Sequence, residues 1–159
     1  MSNFIHKTAV IDDTAIIGTN ASIGPYSIIH SNVIIGDNTT IDSHCIIHPD
    51  TEIGDSNKIH DHVVIGSDPQ DLKFNTDIKT SVRILNNNII REYVSIHRST
   101  RSEKPTQIFN NTMVMTNSHI GHDCIVGNSV IMSSASMLGG HVMIEDQVVL
   151  GANTLIHQH

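Results

Sequence analysis

Residues 29–65 read IHSNVI-IGDNTT-IDSHCI-IHPDTE-IGDSNK-IHDHVV-I, so that each hexad begins with isoleucine. The series reaches back to Ile5, giving eleven consecutive isoleucines at a spacing of six. It resumes one residue out of phase at Ile84 and continues, with a gap at Ser102, to Ile156. A period of six is neither the period of two of a strand nor the 3.6 of a helix. It is explained if each hexad is one short strand plus a tight turn, with one aliphatic side chain pointing inward.

Such hexads predict a triangular solenoid, in which three hexads form one coil and successive coils stack as parallel strands. The repeat over residues 1–159 amounts to roughly eight coils in a single all-β domain. The composition agrees, with 3% aromatic and 16% charged residues and an excess of isoleucine and valine, which suit a pleated surface. We expect glycine and asparagine to form the corners, because both tolerate a positive φ.

Several classes of protein are disfavoured by the sequence. No apolar run approaches the ~18–20 residues of a membrane span, and no basic segment leads into an apolar stretch near Met1. We therefore expect a cytoplasmic protein, in which Cys45 and Cys124 are small buried thiols. The net charge of −7 argues against general nucleic-acid binding.

Two segments, residues 66–83 and 97–107, interrupt the repeat and are expected to protrude as loops. Loops on a rigid scaffold often carry function. Residues 70–105 contain seven basic and four acidic residues, a net +3, whereas the rest of the chain carries −10. This basic window is either a solvated rim or a docking patch for an acidic partner or a phosphate.

The histidines of the second half are the candidates for chemistry. His122 has Asp123 beside it, an arrangement that orients an imidazole and raises its basicity, as a general base requires. His119 lies around the same corner, and His141 follows His122 by 19 residues, about one coil along. His97 lies beside the second loop.

Three interpretations of these histidines stay open. In the first, they are solvated polar residues at the corners without a function in chemistry. In the second, zinc takes its ligands from His97, His119, His122 and His141. In the third, one histidine is the general base of an acyl transfer. In the third case, backbone N–H groups near Gly140 would stabilise the oxyanion.

Six motifs carry a resemblance to a known family: Gln70-Asp71-Leu72-Lys73, Ile90-Arg91-Glu92, Ser95-Ile96-His97-Arg98, His119-Ile-Gly-His122-Asp123-Cys124, Gly140-His141 and His157-Gln158. With them, the sequence resembles the acyl-[acyl carrier protein]–UDP-N-acetylglucosamine O-acyltransferases over essentially its whole length. This family catalyses the first step of lipid A synthesis in Gram-negative bacteria.

The resemblance implies a left-handed β-helix and a cytoplasmic homotrimer with active sites in the clefts between subunits. It further implies transfer of an (R)-3-hydroxyacyl chain from acyl carrier protein to the 3-hydroxyl of UDP-N-acetylglucosamine, with neither a metal nor a cofactor. His122 would be the general base, Asp123 would orient it, and the N–H of Gly140 would hold the oxyanion. The acyl length, and a 3-hydroxyl or a 3-amine on the acceptor, stay open.

The resemblance also assigns the substrate-binding residues, and the basic window independently supplies a docking surface. The substrate-binding residues would be Gln70, Asp71, Lys73, His97, His119, His141, His157 and Gln158. The basic window would dock the acidic carrier protein through Arg91, Arg98, Arg101 and Lys104.

The chain departs from the family at its end. Family members continue with further coils and a helical C-terminal domain, which this sequence lacks, so we expect a chain truncated at His159. Two alternatives follow: a trimeric scaffold without turnover, or a zinc-dependent carbonic anhydrase of the γ class.

Overall fold

The computed structural model describes residues 3–159, and within that range it contains 23 short strands and no helix. No segment of the described chain is therefore a helix that could cross a membrane. The strands, numbered β1 to β23 in chain order, form three sheets whose strand pairings are all parallel.

Each sheet takes every third strand, so the chain visits the three sheets in turn. The first sheet contains β1 (Phe4–Ile5), β4 (Ser22–Ile23), β7 (Thr40–Ile41), β10 (Lys58–Ile59), β13 (Ile89–Ile90), β16 (Met113–Val114), β19 (Ile131–Met132) and β22 (Val149–Leu150). The second contains β2 (Val10–Ile11), β5 (Ile28–Ile29), β8 (Ile46–Ile47), β11 (Val64–Ser67), β14 (Ser95–His97), β17 (His119–Ile120), β20 (Met137–Leu138) and β23 (Leu155–Ile156). The third contains β3 (Ile16–Ile17), β6 (Ile34–Ile35), β9 (Thr51–Ile53), β12 (Val82–Ile84), β15 (Thr106–Ile108), β18 (Ile125–Val126) and β21 (Met143–Ile144).

The predicted inward positions form the core. From Ile23 to Ile65 every sixth residue is a fully buried isoleucine, and each lies in register with its equivalent one coil away, as Ile41 does with Ile59. Ile5, in the first described coil, is 45% exposed, because among residues 3–159 only the following coil pairs with its strand. The predicted all-β fold of stacked parallel coils is confirmed.

The corners correct one part of the prediction. Asparagine does supply positive φ at seven corners, among them Asn32 and Asn117, but among the described glycines only Gly66 has a positive φ. The other glycines meet a different constraint, because a Cβ on Gly36 would lie 2.5 Å from the carbonyl carbon of Gly54. Glycine thus follows the inward residue because stacked coils leave no room for a side chain.

The two predicted loops replace turns at the same corner of successive coils. The chain leaves the second sheet at Ser67 and joins the third at Val82, then leaves at His97 and joins at Thr106. The loops proper are therefore residues 68–81 and 98–105, since the ends of the predicted segments belong to strands. The next turns at this corner, residues 121–124 and 139–142, carry the candidate catalytic residues.

Candidate active site

A histidine–aspartate pair forms the centre of the site. His122 Nδ1 lies 2.7 Å from Asp123 Oδ2, and both side chains are only 7% exposed. The backbone N–H of Thr100, in the second loop, donates to Asp123 at 3.1 Å, and its hydroxyl donates at 2.7 Å. Burial acts to raise the pKa of Asp123, but the hydrogen bonds from His122 and Thr100 outweigh it and lower the pKa. Asp123 is therefore a fixed carboxylate that orients the imidazole.

The free nitrogen of His122 lies against Gly140. Since Nδ1 faces Asp123, Nε2 is the nitrogen available to a substrate. A Cβ on Gly140 would lie 2.5 Å from Nε2 and 2.4 Å from Cε1 of this ring. Only glycine at position 140 leaves room for His122 in this orientation.

The backbone N–H of Gly140 lacks the side-chain acceptor that equivalent groups have at the corner between the third and first sheets. At that corner, six such N–H groups donate to an Asp or Asn side chain one coil on. These six bonds run from Thr19 to Asp37, Asp37 to Asp55, Asp55 to Asn86, Asn86 to Asn110, Asn110 to Asn128 and Asn128 to Asp146. The residue one coil on from Gly140 is Gln158, and within residues 3–159 no acceptor takes the Gly140 N–H. This donor is left for a ligand oxygen.

A cleft of about 470 Å³ opens beside the pair. Its polar lining combines a residue of the first loop with residues of the last four coils: Gln70, His97, His119, His122, His157 and Gln158, along with the backbone of Gly139 and Gly140. Met137, Leu138, Leu155 and Ile156 supply an apolar side. The cleft therefore offers both polar groups and apolar side chains to a ligand.

Two histidines of the cleft are held neutral. Burial, assisted by the nearby His119 and His122, lowers the pKa of His97 to about 4. Burial likewise lowers the pKa of His119, whose Nδ1 lies 2.8 Å from the hydroxyl oxygen of Ser95. At neutral pH both rings therefore carry no charge.

The remaining predicted binding residues lie around this cleft. Asp71 and Lys73 line an adjoining pocket that also contains Gln70, His122 and Gln158. His141 packs edge-on against His122, with ring centroids 5.0 Å apart, and its Nε2 lies 3.7 Å from Asp123 Oδ2. His141 faces a separate small pocket on the side of the second loop.

The structure separates the predicted docking residues. Arg101 and Lys104 line the small pocket with His141 and are exposed, and Arg98 pairs with Asp68 at 2.8 Å. Arg91 lies at another corner, between the first and second sheets, where it pairs with its neighbour Glu92 at 2.9 Å. The structure therefore does not bring Arg91 together with the other three residues.

The groups that could bind a metal differ from the predicted set. Among the described residues, ligand atoms of His122, Asp123 and His141 lie within 4.8 Å of one another, and His97 and His119 do not join them. A metal ion at this position would displace the hydrogen bond between His122 Nδ1 and Asp123.

Sequence reasoning missed two kinds of site residue. Met137 and Leu155 line the cleft, and they follow His119 at intervals of 18 residues, so counting one coil forward would have found them. Thr100, which fixes Asp123, lies in a loop outside the repeat, and no periodic signal marks it.

Comparison with known proteins agrees with the fold. A family model described as bacterial transferase hexapeptide (six repeats) matches residues 32–67. The acyl-[acyl-carrier-protein]–UDP-N-acetylglucosamine O-acyltransferase of Aliivibrio salmonicida is 52% identical over 155 residues, which are 97% of this chain and 59% of that protein. The enzyme of the same name from Thermodesulfovibrio yellowstonii is 46% identical over 145 residues, 91% of this chain and 56% of the relative.

Solved structures give the same result. The UDP-N-acetylglucosamine acyltransferase of Francisella novicida superposes with a TM-score of 0.95 at 40% identity, covering 98% of this chain and 56% of that one. The UDP-N-acetylglucosamine O-acyltransferase of Moraxella catarrhalis superposes with a TM-score of 0.94 at 41% identity, covering 97% of this chain and 60% of that one.

The chain is thus a hexapeptide-repeat protein with a left-handed parallel β-helix and a histidine–aspartate cleft at one corner. Within that class it is a homologue of the acyl-[acyl-carrier-protein]–UDP-N-acetylglucosamine O-acyltransferases. It spans under two thirds of the length of the relatives it matches, 56% and 59% in the two cases above.

Proposed function

We propose that the protein transfers an (R)-3-hydroxyacyl chain from the thioester of acyl carrier protein to the 3-hydroxyl of UDP-N-acetylglucosamine. The observation that carries this proposal is the buried pair in which Asp123 orients His122, with Nε2 facing the cleft beside an uncapped N–H of Gly140. A base and an oxyanion donor side by side are what acyl transfer to a hydroxyl requires.

In this mechanism His122 Nε2 takes the proton of the acceptor hydroxyl as its oxygen attacks the thioester carbon. The carbonyl oxygen becomes an oxyanion and accepts a hydrogen bond from Gly140. When the carbon–sulfur bond breaks, the imidazolium returns its proton to the leaving thiolate, so that ester and thiol are the products. Asp123 stays ionised and stabilises the imidazolium. The step uses no metal and no cofactor.

The cleft offers groups for both substrates. The polar groups of Gln70, His119 and Gln158 suit a sugar hydroxyl and amide, and the apolar side chains of Met137 and Leu155 suit the start of an acyl chain. Asp71 and Lys73, which line the adjoining pocket, are assigned to the rest of the sugar nucleotide in this proposal.

We further propose that the protein is a cytoplasmic homotrimer. An outward row on the first sheet, Ile89, Met113, Ile131 and Val149, is apolar over four consecutive coils. Covering this row with a second copy removes apolar surface from water. With a chain mass of 17.4 kDa, light scattering should give about 52 kDa, and a mass of one chain would contradict the trimer.

Acyl carrier protein, an acidic partner, should dock on Arg98, Arg101 and Lys104. Replacing Arg101 and Lys104 with glutamate should raise KM for the carrier protein about tenfold and flatten its salt dependence, because exposed charges steer association. Charge reversal at the remote Lys58, an exposed residue of β10, should leave both unchanged. An unchanged salt slope in the Arg101 and Lys104 variant would exclude this surface.

The experiment for the proposed activity is an acyl-transfer assay with 3-hydroxyacyl carrier proteins of several chain lengths. Mass spectrometry should find the acylated sugar nucleotide, and an acceptor that lacks the 3-hydroxyl should give none. Product from the deoxy acceptor, or none from the natural acceptor with any donor, would contradict the proposal.

A zinc-dependent hydratase is the second candidate, favoured by the ligand atoms of His122, Asp123 and His141. It predicts about one zinc per chain by elemental analysis and hydration of carbon dioxide. The proposed transferase predicts neither.

A further inference from the structure

Cys124 contacts the peptide that carries the proposed oxyanion donor. Its side chain is fully buried just before β18, and its Sγ–H donates to the carbonyl oxygen of Gly139 at 3.0 Å. That carbonyl and the N–H of Gly140 belong to the same peptide group. Burial raises the pKa of the thiol to about 11, so the thiol keeps its proton at neutral pH.

At the corner between the third and first sheets, two such peptides are held at both ends. The hydroxyl of Thr112 donates to the carbonyl of Gly127, and the N–H of Asn128, in that same peptide, donates to Asp146. Thr39 likewise donates to the carbonyl of Gly54.

The peptide between Gly139 and Gly140 has only the first of these two restraints. Its N–H has no acceptor within residues 3–159, and Cys124 is the one donor to its carbonyl in that range. A hydrogen bond to the carbonyl both fixes the plane of a peptide and polarises its N–H, which strengthens the N–H as a donor.

We propose that Cys124 is a positioning residue for acyl transfer: its thiol holds the Gly139–Gly140 peptide so that the Gly140 N–H points at the developing oxyanion. This inference rests on the proposed function. Cys124 does not touch the substrate and acts through Gly140.

The chain contains a matched control. Cys45 is equally buried, and its Sγ–H donates to the carbonyl of His60 at 3.0 Å, at the corner between the first and second sheets, where none of the residues that line the cleft lies. Alanine at either cysteine removes the same kind of bond and should lower Tm similarly. Only Cys124→Ala should affect catalysis.

The test compares Cys124→Ala, Cys124→Ser and Cys45→Ala in kcat, KM and Tm. Removing an oxyanion donor outright costs about 10²–10³ in kcat. Loosening the donor in Cys124→Ala should cost about 10–100-fold, with KM for the sugar nucleotide unchanged. The serine variant keeps a donor and should stay within about threefold of wild type.

Wild-type kcat in Cys124→Ala would overturn the inference, and so would an equal loss in the serine variant or in Cys45→Ala. A second readout needs no activity: the amide proton of Gly140 in the NMR spectrum of glycine-labelled protein. Its shift should change in Cys124→Ala and stay the same in Cys45→Ala. If the wild type transfers no acyl chain, the proposed function fails, while an unmoved Gly140 amide in Cys124→Ala refutes the positioning role.

Discussion

Gly140→Ala tests the geometry of the site with one added methyl group. The new Cβ would lie 2.4 Å from Cε1 and 2.5 Å from Nε2 of His122, closer than atoms approach in proteins. Gly140 has no positive φ, so the backbone accepts alanine and the imidazole must move. Moving the ring breaks its 2.7 Å bond to Asp123.

The expected losses follow from that displacement. A misplaced general base costs about 10²–10⁴ in kcat, equivalent to about 3–5 kcal/mol. A lost hydrogen bond to a charged group costs about 2 kcal/mol, which lowers Tm by about 4–8 °C in a chain of this size. The protein should therefore stay folded at room temperature and lose most of its turnover.

The assay is steady-state acyl transfer, with Tm recorded by calorimetry for each variant. Gly151→Ala is the control, because the nearest atom to its added Cβ is the Thr154 hydroxyl, 3.8 Å away. That variant should keep wild-type kcat and Tm. If Gly140→Ala turned over like wild type, the ring would not be confined as the structure describes, and the assigned geometry would be refuted.

Three further predictions concern single residues. Gln158→Asn should place a carboxamide where it accepts the Gly140 N–H, so kcat should fall about 10²–10³-fold; a loss no larger than that of Gln158→Ala would contradict the capping argument. Ile41→Asp buries an unpaired carboxylate and should abolish cooperative thermal unfolding, whereas Thr40→Asp, which points outward, should not; equal behaviour would place Ile41 outside the core. The pKa of His97 is lowered to about 4, so on acidification the unfolded chain takes up this proton before the folded chain does, and stability falls as pH drops from about 6.5 to 4. His97→Asn should flatten the fall of Tm over this range. An unchanged slope of Tm against pH would refute the role of His97.

The fold could be predicted because the hexad period is a property of the chain itself. One inward aliphatic residue in six determines the strand, the turn and the stacking, and the buried series from Ile23 to Ile65 follows directly. The role of glycine could not be predicted. A side chain at Gly36 would collide with the backbone of the next coil. This collision can be foreseen only when the distance between stacked coils is known.

The site was predictable where it follows the same period. His122 and His141 lie one coil apart, and the structure brings their rings into contact. Contacts from the loops obey no period, so the bond from Thr100 to Asp123 could not be foreseen. Nearness in sequence groups Arg91 with Arg98, Arg101 and Lys104, but successive hexads end at different corners of the coil. Arg91 therefore lies one corner before the other three residues.

The most direct test of the central claim is kcat of His122→Ala against wild type, with His62→Ala as control. His62 is exposed and stacks between His44 and Tyr93, far from the cleft in the coil order. Loss of the base should lower kcat by about 10²–10⁴ while Tm stays near that of wild type, and His62→Ala should be unaffected. Turnover at the wild-type rate in His122→Ala would show that this histidine is not the base.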